Sequence, residues 1–118
     1  LYLDDVIKGL ECILLRGKIG EVYGLVSDFE YSELEITRRL IELIIPSFIK
    51  KTKDLNHYIN FAPAVENVKH YQVSSKKLQD IGWNQEVFIQ EGLEKTVNFY
   101  RKKHESKKKF ISLEITDF

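Results

Sequence analysis

A single mixed α/β domain is what the sequence predicts, on three observations: apolar residues at helical spacing in several stretches, short β-branched and aromatic stretches between them, and serine, glycine and proline at the joins. With 118 residues there is room for one modest core and no second full domain. Eighteen basic residues balance eighteen acidic ones, so no net field draws the chain to nucleic acid or to an anionic membrane. Hydrophobic residues at 43% exclude a disordered chain.

Asp4 and Asp5 precede Val6, Ile7, Leu10, Ile13 and Leu14, an apolar set at three and four spacing that predicts a helix over 5–16, ending at Gly17. Gly17 and Gly20 bracket a turn. The continuous apolar character of Glu21–Val26 then predicts a strand buried on both faces. Ser32 followed by Glu35 is a capping box, in which the hydroxyl takes a free helix amide and the carboxylate returns to the cap. A helix over 33–45 follows, with Ile36, Leu40, Leu43 and Ile44 on its apolar face, and Pro46 stops it.

Beyond a lysine-rich connection, His57–Phe61 predicts a strand, Tyr71–Val73 another, and Ser74 caps a short helix over 75–80. The last helix, 87–103, places Phe88, Leu93, Val97 and Tyr100 at helical spacing, and Lys107–Lys109 lead into a tail. The resulting division is 1–105 for the folded part and 106–118 for a basic to mixed tail.

Few residues carry chemistry of their own. Gly17-x-x-Gly20 opens a strand and lacks the glycine pattern of a phosphate loop, so it reads as a plain turn. Cys12 lies inside a helix with no neighbouring histidine, which favours packing over nucleophilic catalysis, and a lone cysteine excludes an internal disulfide. His57, His70 and His104 show no metal-ligand spacing, so no metal is expected. Trp83 could stack on a base or sugar, but its place after Ile81-Gly82 favours folding back onto the core. The basic run Arg101–Lys109 could grip phosphate, but it also complements the negative end of the last helix. No apolar run reaches the length of a membrane span, and a reducing, cytoplasmic setting fits the cysteine usage. The start at Leu1, in apolar sequence without a signal-peptide pattern, predicts a piece of something longer.

Leu1-Tyr2-Leu3-Asp4-Asp5-Val6, then Gly17-Lys18-Ile19-Gly20-Glu21-Val22-Tyr23, resembles the later part of an extended short-chain dehydrogenase/reductase of the nucleotide-sugar 4,6-dehydratase kind, which runs "LYVxDV", a helix, "GKxGExYNIG" and a capped helix. The resemblance resumes at Lys76-Lys77-Leu78-Gln79-Asp80-Ile81-Gly82-Trp83, like "xKLxxLGW", and at Glu91–Tyr100, like "EGLxKTVxWY". It covers about residues 1–103, and its nearest likeness is the dTDP-glucose 4,6-dehydratase branch.

The resemblance implies the C-terminal portion of a Rossmann-type NAD-dependent epimerase/dehydratase fold, including part of the small substrate domain. It implies that the NAD turn, the Tyr-x-x-x-Lys pair and the eliminating acid and base lie upstream, so no catalytic or cofactor-binding residue is expected in this chain. The implied whole enzyme oxidises the sugar at C4, removes water across C5 and C6 and returns the hydride. Implied partners are the nucleotide sugar, the upstream NAD-binding half and a second copy of the full protein. For the nucleotide sugar, the family's "RPxxDxRY" segment falls on Ala64 to Tyr71, placing Ala64 where the family has a phosphate-contacting arginine, with Lys69 and His70 as substitute cations. The family's asparagine in the capped segment falls near Glu33, whose carboxylate also suits a helix first turn. Gly24 replaces an asparagine, and Val26-Ser27-Asp28 a glycine-rich segment. Three readings follow in order: a segment of a working dehydratase inactive by itself, a degenerate relative, and a small interaction module on the same scaffold.

Overall fold

A computed structural model describes residues 1–47, 57–63 and 73–116, with side chains as far as Lys107. Among the described residues there are four α-helices: α1 Leu3–Arg16, α2 Glu33–Ile44, α3 Lys76–Asp80 and α4 Ile89–Thr116. Helix α2 packs along α4, and α1 meets α3.

The helical half of the expected α/β fold is present at nearly the expected bounds. Ser32 caps α2 by accepting the Glu35 amide at 3.2 Å, while the Glu35 carboxylate reaches Arg39 at 3.7 Å, one turn on. Short helix α3 begins at Lys76, whose amide donates to Ser74 Oγ at 3.2 Å. Helix α4 is longer than the 87–103 expected, since its backbone stays helical through the lysine run to Thr116. Neither glycine nor proline interrupts 101–116, and lysine and glutamate sustain a helix well.

The strands are a different matter, for no β-ladder occurs among the described residues. Glu21–Val26 is irregular, half-buried from Tyr23 onward. His57 and Tyr58 form a turn, their rings edge to face at 5.0 Å, and 59–63 is irregular rather than a strand. Of the third expected strand, Tyr71 and Gln72 lie outside the described residues and Val73 is irregular. The physical reason is that a strand exists through its neighbours: an apolar, β-branched stretch supplies the side chains of a sheet but not the partner backbone.

The core of the described residues is small. Cys12, Leu78 and Trp83 form its centre, with Ile13, Tyr23, Leu25 and Ile81 packed against them, and Val87 and Val97 are buried nearby. Gly9 lets α1 approach this cluster, because a Cβ there would meet the Leu25 side chain and the Trp83 indole. Gly82 adopts φ of +103°, which turns the chain out of α3 and sets Trp83 facing inward, as expected of a glycine followed by an aromatic.

Helix α1 buries Asp5, Gly9 and Cys12, and Ile13 of its apolar set packs against the core, while Ile7, Leu10 and Leu14 point outward.

Candidate functional site

The loop after α3 is held by a carboxylate at the start of α1. Asp5 is fully buried, and its two oxygens accept the amides of Glu86 at 3.1 Å and Val87 at 2.9 Å. The Trp83 indole N–H donates to the Asp5 carbonyl at 2.9 Å. Three bonds therefore tie residues about 80 positions apart, and a carboxylate between two amides is the strong, charge-assisted kind of hydrogen bond. Outside this clamp Lys8 pairs with Glu86, and that hydrogen bond raises the lysine's pKa above its ordinary 10.5 despite slight desolvation. Both partners are well exposed, so the pair contributes little to stability.

A second set of contacts brings 27–31 against the same loop. Ser27 Oγ donates to Gln85 Oε1 at 2.9 Å, Gln85 Nε2 donates to the Val87 carbonyl at 3.0 Å, and the rings of Phe29 and Phe88 meet edge to face at 5.8 Å. Asp28 accepts from Ser75 Oγ at 3.1 Å and from Gln79 Nε2 at 2.9 Å, fastening the segment to α3. The segment 27–28 is thus stitched down by serine and aspartate side chains.

Between these segments, α2 and α4 lies a cavity of about 700 Å³, walled by Tyr2, Phe29, Tyr31 and Phe88, with Glu30 and Gln85 among its polar residues. Among the described residues no lysine or arginine lines it. Arg39 sits over the Tyr31 ring at 5.6 Å and donates to Gln90 at 3.3 Å, so its guanidinium is engaged beside the cavity. Such a wall accepts rings and apolar groups and disfavours a diphosphate. The described residues do not fit a dinucleotide, whose diphosphate needs cations or free helix amides: Glu30 stands at the wall, and the Glu35 amide at the start of α2 is taken by Ser32.

The sequence-predicted site residues come together only in part. Glu33 opens α2 with its side chain exposed, and its carbonyl accepts Thr37 Oγ1 at 2.7 Å; its neighbours Ser32 and Ile36 line the cavity, and Glu33 does not. Ala64, Lys69 and His70 lie outside the described residues. Gly24 acquires a packing reason, since a Cβ there would collide with the Ser74 carbonyl, and so an asparagine would not fit. Cys12 is buried, its thiol donating to the Ile81 carbonyl at 3.4 Å, in keeping with a packing role. Among the described residues no group of histidine, cysteine, aspartate and glutamate could hold a metal ion, and no helix is long and apolar enough to cross a membrane. Residue-by-residue reading missed Asp5 as a clamp and Ser27 with Gln85 as a latch, because their partners lie 58 to 82 positions away.

Comparison with known proteins places these features. The chain is 33% identical over 105 residues to the dTDP-D-glucose 4,6-dehydratase of Bos taurus, covering 86% of this chain and 28% of that protein. The human protein of the same name is 32% identical over 102 residues, covering 86% and 29%. The dTDP-glucose 4,6-dehydratase of Haemophilus influenzae is 26% identical over 106 residues, covering 85% and 31%. No family model matches the chain, and no solved structure does. The chain spans less than a third of the length of these relatives. It is accordingly a relative of the dTDP-glucose 4,6-dehydratases, matched over a segment of them that takes in most of its own residues.

Proposed function

We propose that this chain acts as the C-terminal segment of an NAD-dependent nucleotide-sugar 4,6-dehydratase, supplying part of the wall that holds the sugar nucleotide while the rest of the enzyme supplies the chemistry. The observation that carries this reading is the match over 86% of the chain to proteins named for that activity. The motifs quoted for the resemblance run in the same order, and two of them meet in the fold: Asp5 of the first clamps the loop that follows Trp83 of the third.

In this reading NAD would be held by the remainder of the enzyme, in a cytoplasmic setting, and would supply hydride transfer to and from the sugar there. The chain's own residues build structure around the substrate. Asp5 fixes the 83–87 loop, Ser27 and Gln85 set the spacing of the two loops, and Phe29, Tyr31 and Phe88 give the cavity an aromatic wall. Alone, the 118-residue chain is expected neither to dehydrate dTDP-glucose nor to bind NAD at micromolar concentration. Turnover assays and calorimetry on the isolated chain check both, and micromolar NAD binding would overturn this division of labour.

The diphosphate contact belongs to the segment around Ala64, where an arginine is absent and Lys69 and His70 are the nearest cations in sequence. In the whole enzyme Ala64→Arg is expected to tighten nucleoside diphosphate binding by about one to two decades, and the gain should shrink with salt. Titration of dTDP at low and high ionic strength is the measurement. An unchanged dissociation constant at low salt would mean that the loop runs elsewhere, and the positional match of Ala64 to the family's arginine would fall.

A further inference from the structure

The sequence predicts an end of the last helix at 103, where a basic run would complement the negative end of the dipole. Helix α4 continues to Thr116, however, and its last turn holds no basic residue. A helix dipole acts within the last turn, so it does not account for Lys102 to Lys109. Arg101 is engaged by the Leu43 and Ile44 carbonyls of α2. Lys102, Lys103, His104 and Lys107 are exposed, and among the described residues their side chains have no ion pair or hydrogen bond. Six of the chain's eighteen lysines and arginines fall in 101–109, with a single glutamate, so an overall neutral chain carries one concentrated positive segment.

The same stretch of α4 presents rings. Phe99 and Tyr100 are each 61% exposed, and Phe99, Lys103 and Lys107 recur every four residues, so a ring and two cations share one face of the helix. We propose that this face binds the surface of an anionic lipid bilayer, with the rings at the headgroup level and the lysines on lipid phosphates. Charge complementarity selects an anionic partner. Zero net charge on the whole chain removes long-range attraction and leaves this local one, which acts within about 8–10 Å of the surface. The rings select a bilayer over single-stranded nucleic acid: stacking a base needs an open ring face, and Phe99 and Tyr100 meet edge to face, with centroids 5.3 Å apart. The contact is peripheral, since among the described residues no helix is long and apolar enough to cross a membrane.

Flotation of the 118-residue chain with phosphatidylcholine vesicles, with and without phosphatidylserine, is the test. Binding is expected only with phosphatidylserine present, and it should weaken as salt rises. Lys103→Ala and Lys107→Ala are each expected to weaken it about fivefold, and Phe99→Ala about fivefold or more. Lys103→Arg, which keeps the charge, should bind as the unsubstituted chain does, and so should Lys18→Ala, on the exposed turn after α1. All these side chains are exposed, so circular dichroism should be unchanged in every variant. Equal binding to both kinds of vesicle, binding to neither, or binding indifferent to the lysine and phenylalanine substitutions would overturn the proposal. So would tighter binding to single-stranded polyuridylate than to phosphatidylserine vesicles, which would give the face to nucleic acid. Release from the vesicles by inorganic phosphate at constant ionic strength would overturn it too, by reducing the face to a site for free phosphate.

Discussion

Asp5 illustrates how one residue can serve two segments. Near the start of α1 its charge suits the helix dipole, yet its side chain is buried against the amides of Glu86 and Val87, where water cannot replace it. Asp5→Asn keeps the shape but sets an amide donor against one of two donors. The expected result is a local loss of about 1–3 kcal/mol, read as faster hydrogen exchange at the Val87 amide by about tenfold or more. Unchanged protection at Val87 would mean the loop is held by its neighbours and not by the carboxylate.

At the scale of elements, the pairing of α2 with α4 closes one side of the cavity. Helix α2 buries no residue fully, so its position depends on half-buried contacts and on Arg101, whose guanidinium donates to the Leu43 carbonyl at 2.7 Å and the Ile44 carbonyl at 3.2 Å. These carbonyls belong to the last turn of α2, where helix geometry leaves acceptors without partners, and a cation complements the dipole there. Part of the basic run is thereby explained without any ligand. Arg101→Ala is expected to fray the end of α2 at a cost of about 0.5–2 kcal/mol, seen as lost amide protection near Ile44 and Ile45 with α1 unaffected. Equal loss of protection in α1 would show that the two helix pairs unfold as one unit.

At the scale of the whole molecule, the imbalance lies between a small buried core and much exposed apolar surface. Among the described residues five hydrophobic side chains are buried, while leucines of α1 and the aromatic pair Phe99 and Tyr100 of α4 stay in water. Contiguous apolar exposure of this kind drives association. The isolated 118-residue chain is expected to self-associate as its concentration rises and to bind a hydrophobic dye, and the rest of a dehydratase should suppress both. Sedimentation velocity with and without that partner checks this. A strictly monomeric chain with one sharp, cooperative thermal transition would instead favour the interaction-module reading.

By itself the sequence determined the helices, because capping, periodicity and glycine or proline stops act within a few residues: Ser32 and Glu35 opened α2, Pro46 closed it, and Ile81-Gly82-Trp83 turned an indole inward. Its motifs also pointed to the dehydratases. Three things were left to the tertiary structure. Which face of α1 turns inward was not legible, since Leu and Ile outrank Gly9 and Cys12 on any hydrophobic count, and only the close approach of Leu25 and Trp83 makes small residues the better fit. The Asp5 clamp and the Ser27–Gln85 latch join positions far apart in sequence, beyond the reach of any local pattern. The Glu21–Val26 segment has the composition of a buried strand and no ladder among the described residues, for composition chooses side chains while only a neighbouring backbone makes a sheet.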